Sequence, residues 1–414
     1  MIIVKKLKLD NGLKLIMEKR PSVRTAAMTL VVKAGTINEN KENNGIAHFV
    51  EHVLFMGGTK SRSYKELMSY LQSFGGSANG ITQRTYTKYS INILSDFVDK
   101  GLEILFDMII NPAFNDEIAE KEKRVILEEI NQQTYDQPFV LRQMLFEKSI
   151  NEGPLGMSII GTEETVKNMT KDEMHSFYKK YYVPNNMVIA IVGNIEYNDI
   201  ERKVKALFGK LGPKEVSVPV INSKNRITGQ KISEFRKKGL KQAHILLGSR
   251  APTIFDKKRY AMDIIANILG RTMNSMLIRR FVDELCISYK VWTEYNNKEG
   301  YYYNSLATSP ENLAMAKKEL LNLIKTLRKT GITENELSNT KNYIKGVTAL
   351  YQEYNQGLAD IYALAELFTK AEDVDEYNNK IDSVTIDEVN KVIEEFIDDE
   401  NYVMVILEPE ETRR

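Results

Sequence analysis

The chain has 414 residues, 43% of them hydrophobic and 27% charged, which is the length and composition of a globular protein with two or three full-sized cores. Its 57 basic and 56 acidic residues nearly cancel, which argues against a dedicated nucleic-acid-binding or membrane-surface protein. No run approaches the roughly 18 apolar residues of a membrane span, and the single cysteine, Cys286, excludes an internal disulfide and predicts a cytoplasmic location.

The first elements alternate between strand and helix patterns. Residues 1–12 pass through a short alternation into Asn11-Gly12, which predicts a β-hairpin. The apolar run over residues 26–35 predicts a buried strand. Periodicity then predicts a strand over residues 85–94 and helices over about 63–74, 96–110 and 116–133.

A helix with apolar residues on nearly every side is predicted between Gly45 and Gly58, and it carries His48, Glu51 and His52. Histidines at positions i and i+4 lie on one helix face and can aim at one point. Burial of three ionisable groups is costly unless something binds them. The order His-x-x-Glu-His inverts the commoner zinc-peptidase motif and predicts two zinc ligands with a free glutamate. The alternative is a chance match with two core histidines.

The predicted helix over residues 116–133 offers a third ligand. Its inward face carries two glutamates, Glu122 and Glu129, among apolar residues, with Val125 also placed inward, while Glu128 falls on the polar side. Either Glu122 or Glu129 could complete a His₂Glu zinc site that keeps an open position. The alternative is that both are surface glutamates that form salt bridges.

With these residues the chain resembles the pitrilysin and mitochondrial processing peptidase family of inverted-motif zinc peptidases. In that family the third ligand follows the motif by 76 residues, the number that separates His52 from Glu129, and a supporting glutamate lies seven residues before it, at Glu122 here. Further segments similar to the family are Glu122–Ile130, Gly75–Thr82, Pro154–Gly156 with Gly161-Thr162, and Tyr182–Met187.

The resemblance implies one zinc ion per chain, held by His48, His52 and Glu129. Glu51 is then the general base and acid of the reaction, and Glu122 supports the site without holding the metal. The same ligands also accept cobalt or manganese. A predicted strand could bind a substrate peptide as an added β-strand, and it consists of Asn79, Gly80, Ile81 and Thr82.

An internal repeat at a shift of 215 residues indicates two copies of one α/β unit. The capping box Thr170–Glu173 recurs as Thr385–Glu388, whereas Asp263 and Asn267 replace the two motif histidines. We therefore predict an α+β fold of two homologous α/β units, each a mainly antiparallel sheet covered by helices, and by resemblance a processing-peptidase-like half-clamshell. The predicted domains are 1–212 (catalytic and zinc-binding), 213–230 (linker) and 231–414 (degenerate and substrate-binding).

In the second copy the family resemblance implies a substrate-gripping arginine and tyrosine seven residues apart. Tyr289 matches the tyrosine, but Val282 stands at the arginine position, and the glycine usual before the tyrosine is Cys286. Arg279 and Arg280 are both candidates for the role of the missing arginine. The other two histidines, His175 and His244, lack metal spacing and are interpreted as structural.

The predicted function is a zinc endopeptidase that cleaves peptides or unfolded segments. Family resemblance implies a chamber formed by two such bodies, so we expect a homodimer or a heterodimer with a related subunit, and neither nucleic acid nor membrane as a partner. The alternatives are a peptide-binding or scaffold subunit that is active only with a partner subunit, and an inactive structural member of a larger complex. The latter predicts decayed ligands, which the first half does not show.

Overall fold

The computed structural model describes residues 4–136, 145–151, 153–217 and 226–410, and these form two compact units. The first unit comprises Met1–Asn131, Met157–Pro219 and Thr348–Asp375; the second comprises Gln132–Gly156, Val220–Val347 and Glu376–Arg414. Each unit thus takes one segment from the other half of the chain, unlike the continuous domains expected from the repeat. The roles assigned to 1–212 and 231–414 stay predictions.

The sheet of the first unit has six strands in the order β1-β2-β6-β3-β5-β4. Its strands are β1 (Val4–Lys8), β2 (Lys14–Lys19), β3 (Thr25–Val32), β4 (Ser77–Thr82), β5 (Thr87–Leu94) and β6 (Met187–Gly193). β2 and β6 pair in parallel, and every other neighbouring pair is antiparallel. β1 and β2 form the predicted hairpin, whose turn places Gly12 at φ +87°, a left-handed conformation that favours glycine.

The helices follow the sequence prediction closely where periodicity is strong. In chain order they are α1 (Ile46–Met56), α2 (Tyr64–Ser73), α3 (Val98–Ile110), α4 (Asp116–Asp136), α5 (Glu163–Asn168), α6 (Lys171–Tyr181), α7 (Tyr197–Phe208), α8 (Arg259–Ala266), α9 (Leu313–Thr330), α10 (Glu334–Gln352), α11 (Asn355–Phe368), α12 (Glu372–Ser383) and α13 (Ile386–Phe396). Short π-helical segments cover Asn267–Arg271 and Ile278–Glu284. No helix of the described residues has the length and apolar character needed to span a membrane.

The central strands β3 and β6 are buried along nearly their whole length, which explains why both are rich in apolar residues. Alternate residues point to opposite faces, so Ile189 and Ile191 of β6 pack into the core that contains α1, α3, α6 and α7. Val188 and Ala190 pack on the other face, against α11. The phenol of Tyr362 on α11 donates a 2.8 Å hydrogen bond to the buried Glu18 carboxylate of β2. A helix from the second half of the chain thus completes the first unit.

The second unit repeats the topology of the first. Its strands are β7 (Gln230–Lys237), β8 (Ala243–Arg250), β9 (Ser288–Asn296), β10 (Tyr301–Thr308) and β11 (Tyr402–Pro409). The order β7-β11-β8-β10-β9 matches β2-β6-β3-β5-β4, and β7 with β11 is again the parallel pair. Both predicted capping boxes form, at the starts of α6 and α13. The predicted α+β fold of two homologous units is confirmed.

Candidate metal centre

The motif helix α1 is enclosed by the core of the first unit. Its first nine residues are buried, and the helix ends where the N–H of Gly57 donates to the carbonyl of Val53. His48 and His52, one turn apart on this helix, bring their ring centroids to 4.6 Å in an edge-to-face arrangement. The predicted i, i+4 pairing of the two imidazoles is therefore present in the structure.

Helix α4 brings two glutamates to this pair. Glu122 has no exposed side-chain surface and Glu129 is half-buried, whereas Glu128 is exposed, as the helical face predicted. The prediction that Val125 faces inward is wrong, because its side chain is exposed. At 100° per residue it lies at the margin of that face, so its exposure could not be judged from periodicity.

Three donor atoms converge between α1 and α4. The Nε2 atoms of His48 and His52 each lie 3.6 Å from the same oxygen, Oε2 of Glu129. Among the described residues this is the group of histidine and carboxylate atoms, all within 4.8 Å of one another, that could hold a metal ion. The separations exceed a normal N–H···O hydrogen bond. Tetrahedral zinc, with bonds of about 2.0–2.2 Å, would set such ligands about 3.4 Å apart. The donor set and its spacing therefore fit a zinc ion.

The two candidate glutamates occupy different places. Oε2 of Glu122 lies 3.2 Å from Nδ1 of His52, the ring nitrogen that faces away from Glu129. Burial alone would raise the pKa of Glu122, but His52 and Lys121 hold it below its usual value. Glu122 therefore contacts Nδ1 of the His52 imidazole, and Glu129 lies near Nε2, the ring nitrogen in the donor group. The family resemblance predicts these two positions, and the roles of Glu122 and Glu129 stay predictions.

The environments of the two imidazoles differ. Burial lowers the pKa of His48 to about 4. Burial also acts to lower the pKa of His52, but the carboxylates of Glu122 and Glu129 outweigh it and raise the value to about 9. Negative groups around His52 thus favour a positive charge at this point of the core.

Glu51 lies beside the cluster. Its Oε2 is 4.0 Å from Nε2 of His48 and accepts a 3.3 Å hydrogen bond from the hydroxyl of Thr82. Burial raises the pKa of Glu51 to about 7. A β-carbon added at Gly80 would lie 2.3 Å from Oε1 of Glu51, so the carboxylate occupies space that only glycine leaves free. The fit explains why glycine stands at this position.

The predicted substrate strand is β4, and it lies at the edge of the first sheet. Asn79, Gly80, Ile81 and Thr82 pair with β5 on one side only. Gly80 and Thr82 both contact Glu51. Sequence reasoning assigned Thr82 to substrate binding alone and missed its hydrogen bond to Glu51, because no local pattern relates β4 to α1.

The second unit has lost this ligand set. Asp263, on α8, takes the place of His48 in the repeat, and its carboxylate accepts a 3.0 Å hydrogen bond from the phenol of Tyr377. Asn267, in place of His52, donates to the carbonyl of Asp263 at 2.8 Å. Asp263 and Asn267 thus form hydrogen bonds within the second unit, at the positions where the first unit has its two histidines.

The residues expected to grip the substrate lie in the second unit. Tyr289 is on β9 and is 86% exposed, while Val282 lies in the π-helical segment Ile278–Glu284. Of the two possible substitute arginines, Arg280 binds both Glu284 and Glu319, at 2.8 Å and 3.1 Å. Among the described residues Arg279 forms one ion pair, which is longer, with Glu336 at 3.4 Å. Arg279 is therefore held less tightly by neighbouring carboxylates than Arg280 is. The role of Tyr289 in substrate binding stays a prediction.

The donor group found among the described residues includes neither His175 nor His244. His175 is half-buried on α6, where its ring centroid is 5.3 Å from that of Phe114. His244 lies on β8, in the other unit.

Comparison with known proteins identifies the family. Residues 14–163 match the family model described as insulinase, peptidase family M16, and residues 168–344 match the model described as the peptidase M16 inactive domain. The uncharacterized zinc protease YmxG of Bacillus subtilis is 28% identical over 416 residues, covering 98% of each chain. An uncharacterized zinc protease of Rickettsia bellii is 30% identical over 350 residues, covering 84% of this chain and 83% of the relative.

Solved structures share the fold. The crystal structure of a protease from Helicobacter pylori has a TM-score of 0.91 at 22% identity and covers 99% of this chain and 100% of its own. That of a peptidase M16 inactive domain from Pseudomonas fluorescens has a TM-score of 0.89 at 17% identity, with 100% and 99% covered. With two matched family models and relatives along most of its length, the chain belongs to the insulinase family, peptidase family M16.

Proposed function

We propose that the chain is a zinc-dependent endopeptidase that cleaves peptides or unfolded segments. The observation that carries the proposal is the convergence of Nε2 of His48, Nε2 of His52 and Oε2 of Glu129, with Glu51 beside them. Relatives that share most of the chain's length and are named zinc proteases support it.

The proposed roles follow from the contacts. Zinc, when bound by His48, His52 and Glu129, would lower the pKa of a water molecule from about 15.7 toward about 7 and polarise the peptide carbonyl. Glu51 accepts the water proton on its carboxylate and later delivers it to the leaving amine. Thr82 fixes the direction of that carboxylate. Glu122 fixes the ring of His52 so that Nε2 faces Glu129.

We further propose that the substrate binds as an extended strand along β4. An edge strand presents backbone N–H and C=O groups that an added strand can pair with, largely independently of side chains. The short segment Asn79–Thr82 would hold the scissile bond near Glu51, since Gly80 and Thr82 contact that carboxylate. The substrate class is therefore extended or unfolded polypeptide.

A second body is proposed to complete the enzyme, as a homodimer or a heterodimer with a related subunit. The match of residues 168–344 to an inactive domain and the presence of Val282 at the expected arginine position favour the alternative in which this chain binds peptides and is active only with a partner. The intact donor set beside Glu51 favours the proposal that this chain is itself an endopeptidase. It also argues against a purely structural role.

We also propose a cytoplasmic location. Cys286 is a free, exposed thiol, which fits a reducing compartment. Cell fractionation tests this proposal, and recovery of the protein outside the cytoplasm contradicts it.

The experiment that tests the function combines metal analysis with cleavage of a quenched fluorescent peptide library. The purified chain is expected to hold one zinc and to cleave, and Glu51→Gln is expected to keep the zinc and lose cleavage. Glu129→Gln should lose zinc, while Glu128→Gln, an exposed neighbour on the same helix, serves as the matched control. Zinc without cleavage, restored by a related subunit, would support the partner-dependent alternative. Absence of zinc from the wild type would overturn the proposal.

A further inference from the structure

We propose that Glu39 is a positioning residue for the metal centre, because its carboxyl group caps the start of α1 and fixes the helix turn that carries His48. The inference rests on the proposed metal function of His48, His52 and Glu129. Glu39 precedes α1 by seven residues and lies outside the ligand set.

The Glu39 carboxyl is 5% exposed and accepts three hydrogen bonds. Oε2 accepts from the backbone N–H of Gly45 at 2.8 Å and from the side-chain amide of Asn44 at 2.9 Å. Oε1 accepts from the backbone N–H of Ala47, also at 2.9 Å. Both oxygens are thus directed at the first turn of α1 and the residues just before it.

Helix α1 needs a cap from elsewhere in the fold. Its N-cap residue is Gly45, in a left-handed conformation at φ 95°, which offers no side-chain acceptor, and its first turn has no acidic residue. The first N–H groups of a helix lack intrahelical partners, and a buried N–H group left unpaired destabilises the fold. Glu39 does for Ala47 what an N-cap side chain normally does.

Residues 158–165 also contact the residues just before this turn. A β-carbon on Gly45 would lie 2.7 Å from the α-carbon of Gly161, so the two backbones touch through glycines. Asn44 donates to the carbonyl of Ser158 at 2.7 Å, and its own carbonyl accepts from the hydroxyl of Thr165 at 2.7 Å. The start of α1 is therefore held between Glu39 and this segment.

The link to the metal centre is the position of His48. It is the third residue of α1 and directly follows Ala47, whose N–H Glu39 holds. His52 lies one turn later and is held separately through Glu122. Loss of the cap should therefore displace His48 relative to Glu129 while His52 stays in place. The result expected is a folded protein with one misplaced nitrogen ligand.

The test measures metal binding and not only activity. Zinc affinity is determined by chelator competition, and the visible spectrum of the Co²⁺-substituted protein reports ligand number and geometry. Glu39→Gln keeps the size of the side chain but turns an amide donor toward the N–H groups. We expect its zinc affinity to fall roughly 10- to 100-fold and its Co²⁺ spectrum to change.

Glu66→Gln is the matched control. Glu66 caps α2 in the same unit by accepting from the N–H of Ser63 at 2.8 Å, and it belongs neither to α1 nor to the group of metal donors. Both readouts should match the wild type in this variant. If Glu39→Gln does not fold, Glu39→Asp, which keeps the carboxyl but shortens its reach, decides by the same criteria.

Wild-type affinity and an unchanged Co²⁺ spectrum in a folded Glu39 variant, even with a lowered melting temperature, would overturn the proposal and leave Glu39 a cap only. A wild type that binds neither Zn²⁺ nor Co²⁺ would instead overturn the metal function on which the proposal rests. The two failures are distinguishable because the first requires a wild type that binds metal.

Discussion

Nδ1 of His52 lies 3.2 Å from Oε2 of Glu122, a carboxylate with no exposed surface. The contact leaves Nε2 of the same ring facing Glu129. A histidine that donates from one nitrogen to a carboxylate has its tautomer and ring orientation fixed for metal binding at the other. We therefore expect Glu122 to act on the site through His52.

Removal of this contact should weaken metal binding without removing a ligand. For Glu122→Gln we expect zinc affinity to fall by roughly 10- to 100-fold, measured by chelator competition. Glu128→Gln, on the exposed face of the same helix, is the control and should bind as the wild type does. Equal affinity in the Glu122 and Glu128 variants would contradict the positioning role of Glu122.

Gly80→Ala should impair catalysis while sparing the metal. The added β-carbon would lie 2.3 Å from Oε1 of Glu51, so the carboxylate or β4 must move. We expect peptide cleavage to fall at least tenfold, a loss of about 1.4 kcal/mol in transition-state stabilisation, with unchanged zinc content. Gly346→Ala on α10, where a β-carbon meets nothing within 4 Å, is the control. Undiminished cleavage would show that Glu51 is not confined by Gly80.

Much of the metal centre could be predicted from the sequence because helix geometry relates nearby positions. The i, i+4 spacing places His48 and His52 together, and the face of α4 separates Glu128 from Glu122 and Glu129. Periodicity could not show which of Glu122 and Glu129 is the third ligand. Both lie on one face, and only the fold shows which imidazole nitrogen each carboxylate meets.

Features that depend on distant parts of the chain escaped sequence reasoning. The pattern of residues 355–368 indicates a helix, but nothing local shows that it packs on the first sheet, so the exchange of segments between the halves was missed. Glu39 was missed because it caps a helix that begins seven residues later. Its sequence signal is indirect: Gly45 starts a buried helix without a capping side chain.

The packing of α11 against the first sheet predicts that replacing a buried leucine of α11 with alanine lowers the free energy of unfolding much more than replacing an exposed leucine. Leu358 is 4% exposed in that core, whereas Leu350, in the last turn of α10, is 70% exposed. Leu358→Ala should lower the free energy of unfolding by about 2–5 kcal/mol, and Leu350→Ala by less than about 0.5 kcal/mol. Urea titrations followed by circular dichroism measure both. Similar values would mean that α11 does not belong to the core of the first unit.

Glu39 also predicts how stability depends on pH. Burial raises the pKa of its carboxyl from 4.5 to about 7, against three hydrogen bonds that act to lower it. Below about pH 4.5 the group is protonated in both the native and the unfolded chain, and above about pH 7 it is ionised in both. Between these values the native state holds the proton that the unfolded chain has released, so the free energy of unfolding falls as pH rises.

The full shift corresponds to a change on the order of 3 kcal/mol. Urea unfolding of metal-free protein at pH 5 to 8 should therefore show a steeper decline for the wild type than for Glu39→Gln, which has no proton to lose. Glu51, whose pKa burial also raises to about 7, contributes to both proteins and cancels in the difference. Parallel pH profiles would mean that the Glu39 carboxyl titrates near its ordinary value, because its three hydrogen bonds then offset the cost of its burial.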